Sequence, residues 1–308
     1  MKNLRILLSL HTRDNDFQIA QAAAAEQISR KLGIQLEIAY ADNDAVNQST
    51  KILGAIQGRG EFRPDAIILE PISDIALPQA AAAASAAGIA WVVLNRTPDY
   101  VKQLRRTATA PVFSVGMDNL QIGRIQGQQF AALLPSGGSI LYLEGPSRSS
   151  SAQKRTEGMR QTKPSNIQVS TLKGEWTEQS AQRAVRSWLK LATSARISTD
   201  LIGAQDDTMA MGARKAFEEI SDQREQQRWL SLPFTGCDGQ PATGQAWVRN
   251  GMLAATIYIP AFAGQAIEAV VNAIKAGTQP PESVLTTSYS IPPLDALAPQ
   301  KNNPRCGE

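Results

Sequence analysis

Histidine and cysteine are nearly absent from this sequence. Its 308 residues include one histidine, His11, and two cysteines, Cys237 and Cys306. Clustered imidazole or thiolate metal sites, and most catalytic triads that need a histidine, are therefore excluded, and we expect no metal and no cofactor. Two cysteines are also too few for a disulfide-stabilised scaffold. We expect Cys237 to act as a small buried hydrophobic residue.

The sequence also lacks a long apolar run and a large excess of one charge. No run approaches the ~20 apolar residues that a bilayer span requires. Lysine and arginine total 31 against 28 for aspartate and glutamate, a net charge of +3, which argues against a dedicated nucleic-acid-binding protein. The basic clusters at 102–106 and 224–228 contain no aromatic residue to stack on bases, so we interpret them as solvated surface.

The amino terminus is predicted to be a strand and not a signal peptide. A short basic start leads into apolar residues 6–8, but Ser9 interrupts the run and no small-residue cleavage site follows. Only three residues precede Leu4, so we expect no helix-turn-helix ahead of this strand. A cytoplasmic chain and an exported chain whose signal has been removed both remain open.

Short apolar runs alternate with longer segments of helical spacing along the whole chain. The predicted strands are 4–10, 35–40, 66–69, 90–94, 114–115, 139–143, 167–172, 201–204 and 234–236, with a further one at 286–291, and the predicted helices include 46–59, 80–87 and 261–276. Sustained alternation predicts an α/β fold with parallel sheets covered by helices on both faces. Nine or more strands favour two Rossmann-like sheets, and we expect 299–308 to be a flexible tail.

Polar side chains follow nearly every predicted strand. Ligands of open parallel sheets bind beyond the carboxyl ends of the strands, so these side chains are binding candidates. Asn, Asp and Arg can bridge adjacent hydroxyls, and aromatic rings such as Phe17 and Trp176 can cover the C–H face of a sugar. The polar candidates are Asn15, Asn95, Arg96, Arg155, Asp206 and Asp238. Two arginines against two aspartates suit a neutral polyol, although each aspartate could instead be a helix N-cap.

Six stretches in order resemble the ribose-binding-protein family of type 1 periplasmic sugar-binding proteins, which is related to the effector-binding core of Lac-repressor-type regulators. The stretches are DNDF (14–17), VLNR (93–96), SAQKRTEG (151–158), QDDTMAMGA (205–213), GCDG (236–239) and LAATI (253–257). The resemblance implies two Rossmann-like lobes joined by a three-stranded hinge. It implies an N-terminal ligand-binding lobe from 1–117 with 260–286, and a C-terminal one from 118–258 with 287–298.

The resemblance also implies the site residues. Asn15, Phe17, Asn95 and Arg96 would come from the first lobe, and Arg155, Trp176, Asp206, Asp238 and Tyr258 from the second. Asn95 stands where the family usually has Asp, Asp206 replaces a common Asn, and Gln18 replaces a second aromatic residue. This exchange of amide and carboxylate should change which hydroxyls are read, or favour a polyol other than ribose.

The expected function is capture of a small sugar or polyol between the two lobes by hinge closure, followed by delivery to an ABC-type membrane permease. The expected partner is that permease complex or a sensor protein. The resemblance implies a monomer located in the periplasm or cell envelope. A sugar-sensing domain without a DNA-binding module is the first alternative. A sugar-active enzyme is the second, because Asp206 and Asp238 are two carboxyls of the kind that glycoside hydrolysis uses.

Overall fold

The computed structural model describes residues 3–13, 16–58, 63–72, 77–191 and 198–298. The chain folds into two units, each built from discontinuous segments. Unit 1 comprises Met1–Met117 and Pro260–Thr287, and unit 2 comprises Asp118–Ile259 and Ser288–Glu308. The chain therefore passes between the units three times. The predicted tail at 299–308, with Cys306, lies outside the described residues.

Strands and helices alternate through both units. The elements up to residue 133 are β1 Arg5–Leu10, α1 Asp16–Leu32, β2 Gln35–Tyr40, α2 Ala45–Ile56, β3 Ala66–Leu69, α3 Pro78–Ala86, β4 Ala90–Leu94, α4 Asp99–Leu104, β5 Val112–Met117 and α5 Asn119–Leu133. Those that follow are β6 Gly138–Glu144, α6 Ser150–Thr162, β7 Ile167–Lys173, α7 Glu178–Leu189, β8 Leu201–Ala204, α8 Asp207–Glu218, α9 Gln223–Leu230, β9 Phe234–Thr235, α10 Gly244–Arg249, β10 Thr256–Tyr258, α11 Ala263–Ala276, β11 Ser283–Thr286 and β12 Tyr289–Ile291. This is the α/β class that the alternation predicts.

Unit 1 contains a six-stranded parallel sheet in the order β11-β5-β4-β3-β1-β2. Its central strands β3 (AIIL) and β4 (AWVVL) are wholly buried, as is typical of parallel strands covered on both faces. Helix α11 returns to this unit and packs against α1. It ends at Gly277, whose positive φ of 64° is a conformation that glycine adopts without strain.

Unit 2 contains a four-stranded parallel sheet, β7-β6-β8-β9, and a separate antiparallel pair, β10-β12. Helices α5 to α9 begin at side-chain caps: Ser149, for example, accepts from the backbone N–H of Ala152 at α6, and Asp206 caps α8. One part of its core stacks Phe217 on Trp229 at 4.7 Å between ring centroids. Because α6 follows β6 and α8 follows β8, these cap residues lie beyond the carboxyl ends of the strands.

The predicted strand at 286–291 is wrong, because two strands occupy this region. Ser283–Thr286 pairs in parallel with β5 in unit 1, whereas Tyr289–Ile291 pairs antiparallel with β10 in unit 2. The pairing partners lie far away in the sequence, so the local pattern could not separate the two strands.

The predicted helix at 46–59 also ends earlier, at Ile56. Within the described residues no helix has the length and apolar character of a membrane span.

Candidate functional site

In unit 1 the predicted residue Asn95 lies directly after β4 in a left-handed conformation, with φ of 67°. Its backbone N–H donates to the carbonyl of Val115 at 2.8 Å. Its side-chain Nδ2 donates to Oε1 of Glu70 at 2.9 Å. A β-carbon added to Gly116 would come within 3.1 Å of the Asn95 Cα, so the neighbouring strand needs a small residue here. Asn95 is therefore held at both its backbone and its amide.

The other unit 1 candidates are placed differently. Phe17, in the first turn of α1, is 8% exposed and packs edge-to-face on Phe262 at 5.6 Å between ring centroids, so much of its ring is used in the core of the unit. Arg96 follows Asn95 and is half-buried. Asn15 lies outside the described residues. Of the four predicted residues, the structure therefore sets Asn95 and Arg96 side by side at the end of β4.

In unit 2 the guanidinium of Arg155 is buried and held by neutral groups. Its Nε donates to Oδ1 of Asn119 at 2.9 Å, and one terminal nitrogen donates to the backbone carbonyl of Gln205 at 2.5 Å. The guanidinium carbon lies 5.5 Å from the ring centroid of Trp176, a cation–π contact. Burial acts to lower the pKa of Arg155, but nearby groups that include Asp238 and Asp206 raise it overall. The side chain is thus a fixed, permanently charged donor.

Three aspartates lie around this guanidinium. Asp206 is the N-cap of α8, and its Oδ1 accepts from the N–H groups of Thr208 and Met209 at 2.7 and 3.1 Å. The carboxyl of Asp238 is within hydrogen-bonding reach of the Asp206 carboxyl. Asp238 has a φ of 103°, strained for a residue with a side chain, and it is not a helix cap. The cap interpretation therefore holds for Asp206 alone.

Asp207 is the third aspartate and has a structural set of partners. Its Oδ1 accepts from the Thr256 hydroxyl at 2.6 Å, and its Oδ2 accepts from the backbone N–H of Gly239 at 2.7 Å. Because Gly239 follows Asp238 in the chain, Asp207 supports the turn that carries Asp238. Both oxygens are thereby used inside the unit.

Burial and mutual repulsion raise the pKa values of these carboxyls. Burial is the main cause for all three; Asp206 is raised, and Asp207 and Asp238 are raised well above the ordinary value. For Asp238 the charge of Asp206 adds to the effect of burial. The arrangement can offer charge-assisted acceptors and donors to hydroxyl groups, and the raised pKa values favour the protonated form of these carboxyls.

Trp176 and Tyr258 complete the predicted set in unit 2. Trp176 is left-handed, with φ of 58°, and a β-carbon on Gly145 would collide with its ring. Tyr258, on β10, forms an isolated backbone bridge with Asp238, and its ring lies 5.2 Å from that of Tyr289. Unit 2 thus gathers Arg155, Trp176, Asp206 and Asp238, with Tyr258 attached through the backbone of Asp238.

Several buried side chains that position these groups were not predicted. Glu70, the first residue after β3, accepts from Asn95 and from Gln18, whose Nε2 lies 2.8 Å from Oε2 of Glu70. Gln205 accepts from the N–H of Gly145 at 2.9 Å and donates to the Ala152 carbonyl at 3.0 Å. Glu70 and Gln205 could have been found from the sequence, because each directly follows a buried strand. Asn119 carries no such signal.

A groove of about 540 Å³ also lies in unit 2, beside α6. Its lining includes Glu144, which is 4% exposed, accepts from the Thr156 hydroxyl at 2.8 Å and pairs with Lys173. None of the predicted site residues lines it. Among the described residues no group of three or more His, Cys, Asp or Glu side chains could hold a metal ion. The groove therefore adds nothing to the Arg155 cluster.

Comparisons with known proteins agree on one family. The family model for the periplasmic binding protein domain matches residues 6–279. The ribose import binding protein of Salmonella typhimurium is 25% identical over 252 residues, 82% of this chain and 78% of its own length. The D-apiose import binding protein of Actinobacillus succinogenes is 26% identical over 267 residues, 86% of this chain and 79% of its own length.

A solved structure shares the fold. It is an ABC transporter periplasmic solute binding protein from Actinobacillus succinogenes 130z, determined with bound D-allose. The match has a TM-score of 0.79 and covers 94% of this chain and 97% of the other at 22% identity. At 22% identity, the match shows that the two proteins share a fold.

Proposed function

This chain belongs to the periplasmic binding protein domain family, and from that premise we propose that it binds a small sugar or polyol for import. The relatives at 25–26% identity carry the names of ribose and D-apiose import binding proteins, which supports this class of ligand. The ligand would be neutral and rich in hydroxyls. The chain itself would bind and release it unchanged.

The observation that carries the proposal is the fixed guanidinium of Arg155 beside the carboxyls of Asp206 and Asp238. Asn119 and Gln205 hold the guanidinium in one position, so little side-chain freedom is lost when it donates to a ligand. Neighbouring hydroxyls of a sugar can donate to a carboxyl and accept from the guanidinium at once. Trp176, already in contact with Arg155, supplies an aromatic surface for the C–H face of the ring.

Unit 1 would add Asn95, Arg96, Phe17 and Asn15, and unit 2 would add Tyr258. In this proposal a ligand contacts both units and favours a closed state over an open one, as in hinge-closing binding proteins. A membrane permease of ABC type would read the closed state and receive the ligand. The protein would act as a monomer in the periplasm or cell envelope.

The test is a thermal-unfolding screen of protein that has been unfolded and refolded to strip bound ligand. D-ribose, D-apiose, D-allose, myo-inositol, disaccharides and small polyols would each be added at millimolar concentration. A ligand at ~100 times its dissociation constant should stabilise the fold by about 2.7 kcal/mol. A shift with one sugar class, with the sugar recovered unchanged, is the expected result. No shift with any compound would overturn the proposal, and conversion of the sugar would favour the enzyme alternative.

Substitutions then assign the site. Arg155→Lys keeps the charge but loses the planar pair of donors, and we expect it to raise the dissociation constant at least tenfold, about 1.4 kcal/mol. Arg186→Lys, at an exposed ion pair with Glu219 in the same unit, is the matched control and should leave affinity unchanged. Equal affinity of both variants and the wild-type protein would remove Arg155 from the site.

A further inference from the structure

The buried carboxylate of Glu70 has no role in the proposed function as stated, yet it is fully engaged. Glu70 is 2% exposed and lies directly after β3. Its Oε1 accepts from Nδ2 of Asn95 at 2.9 Å, and its Oε2 accepts from Nε2 of Gln18 at 2.8 Å. The two carboxylate oxygens therefore serve two different amide donors.

The orientation of both amides follows from their partners. The backbone N–H of His11 donates to Oε1 of Gln18 at 3.0 Å, so the nitrogen of that amide must face Glu70. A carboxylate offers only acceptors, so Asn95 must also present its nitrogen to Glu70. Its amide oxygen then points away from the carboxylate.

Several buried polar side-chain atoms of unit 1 lack a hydrogen-bond partner, and the amide oxygen of Asn95 is one of them. Oδ1 of Asn95 is buried and has no hydrogen-bond partner, although its own nitrogen is satisfied. A buried acceptor without a partner is unfavourable, so a ligand hydrogen that reaches it would be strongly preferred. Asn95 stands at the carboxyl end of β4, where parallel sheets bind their ligands.

We propose that Glu70 is a positioning residue that fixes Asn95 as a hydrogen-bond acceptor, so that unit 1 reads a hydroxyl donor on the ligand. The inference rests on the proposed function and adds a specificity rule to it. Asn95 behaves as a neutral acceptor. The negative charge lies on the buried Glu70, which accepts from the amides of Asn95 and Gln18. A ligand lacking a donor at this point would be rejected.

Substitutions at Glu70 and Asn95 can reverse or restore the direction in which residue 95 presents its acceptor. In Glu70→Gln, one oxygen can still accept from Gln18, but the new amide nitrogen faces the nitrogen of Asn95. Asn95 relieves this conflict by turning, which presents its N–H groups to the ligand. In Glu70→Gln with Asn95→Asp, the new amide donates to one carboxylate oxygen and the other oxygen remains an acceptor. In Asn95→Asp alone, two carboxylates face each other without a donor.

The experiment measures sugar affinity by titration calorimetry for these three variants, using the tightest binder among D-ribose, D-apiose, D-allose and myo-inositol. We expect Glu70→Gln to weaken binding at least about tenfold, and the double variant to recover to within about threefold of wild type. Glu37→Gln, the same change at an exposed position on β2, should not alter affinity. A double variant that binds no better than Glu70→Gln would overturn the assignment.

Thermal unfolding without ligand provides an independent readout. The double variant should be more stable than Asn95→Asp, because its new amide donates to the new carboxylate, whereas Asn95→Asp alone leaves two carboxylates facing each other. Equal stability would contradict the orientation of the pair. If the wild-type protein binds no sugar, the proposed function fails, and this ligand-free comparison still decides whether Glu70 orients Asn95.

Discussion

At the carboxyl ends of their strands, the two units arrange charged and neutral groups in opposite order. In unit 1 the carboxylate of Glu70 is buried beneath the amides of Gln18 and Asn95 and holds them in position. In unit 2 the side-chain oxygen of Asn119 and the backbone carbonyl of Gln205 accept from the charged Arg155 and hold it. The carboxyl edge of a parallel sheet can therefore present a neutral amide that a buried carboxylate holds, as in unit 1. It can also present a charged guanidinium that neutral acceptors hold, as in unit 2.

This difference has energetic consequences. A carboxylate that accepts from two amides is satisfied within its own unit. In unit 2 the cation of Arg155 instead offsets two neighbouring carboxyls, those of Asp206 and Asp238, so the loss of Arg155 leaves both carboxyls without a cation. We therefore expect substitutions in unit 2 to be costlier and more dependent on pH than substitutions in unit 1.

The largest effect is expected for Arg155→Ala. It removes the guanidinium and leaves the carboxyls of Asp206 and Asp238 without their cation, which should lower the free energy of unfolding by about 3–5 kcal/mol. Urea denaturation would measure it. Arg186→Ala, which breaks the exposed ion pair with Glu219, should cost no more than about 1 kcal/mol. Similar destabilisation by the two variants would show that the buried cation contributes no more to stability than an exposed one.

Next in size is Asn119→Ala, which removes the acceptor for Nε of Arg155. Loss of a buried hydrogen bond to a charged group should destabilise the fold by about 1.5–3 kcal/mol. Gln161→Ala is a close control, because Gln161 accepts from Nε of Arg124 over the same 2.9 Å but at an exposed site. We expect less than about 0.5 kcal/mol for the control in the same denaturation experiment. A larger cost for Gln161→Ala would show that burial does not decide the contribution.

The pH dependence of stability should come from the carboxyls of unit 2. Folding raises the pKa of Asp206, Asp207 and Asp238, so the folded state keeps protons that the unfolded chain releases. Stability should therefore fall as pH increases from about 4 towards the raised pKa values, by up to about 1.4 kcal/mol per pH unit for each retained proton. Thermal unfolding of ligand-free protein across this range would measure the slope.

Asp238→Asn should make that slope shallower, because it removes one titrating group and the repulsion with Asp206. Asp222→Asn, at the N-cap of α9, keeps an acceptor for the N–H of Glu225 and serves as the control. A slope unchanged by Asp238→Asn would mean that this carboxyl does not retain its proton on folding.

The smallest effect is expected at Gly116 in unit 1. Gly116→Ala brings a methyl group within 3.1 Å of the Asn95 backbone, which should cost about 1 kcal/mol as the strand adjusts. Gly54→Ala in α2 has no atom within 4 Å of the added carbon and should instead stabilise the unit by about 0.5–1 kcal/mol. Thermal unfolding of the two variants gives the sign of each change. Stabilisation by Gly116→Ala would show that Asn95 is not tightly held.

Much of the fold could be predicted from local patterns. The predicted limits of β2, β3, β4 and β8 match the structure. Polar residues bound β3 and β8 on both sides, and β2 and β4 begin two residues after Gly33 and Gly88. The predicted membership in a periplasmic binding protein family is confirmed by the family match over residues 6–279. The strand at 286–291 was wrong because its two parts pair with strands that are distant in the sequence.

The candidate site was only partly predictable. Position after a strand identified Asn95, Asp206 and Asp238, but it left open whether Asp206 or Asp238 caps a helix and gave no sign of the positive φ of Asp238. The ligand-binding roles of these residues stay predictions. The partnership of Arg155 with Asn119 depends on the packing of α5 against α6, which places residues 36 apart within one hydrogen bond.

The α/β class, the alternation of elements and the kinds of polar residue that follow the strands can be read from local sequence patterns, because hydrophobic periodicity and strand ends are local properties. Which polar groups form hydrogen bonds with one another depends on the tertiary structure. Glu70 and Asn95 are 25 residues apart, and whether an amide acts as donor or acceptor depends on the atom that folding places opposite it. Hydrogen-bond orientation is a property of pairs, and the pairs form only when the sheets assemble.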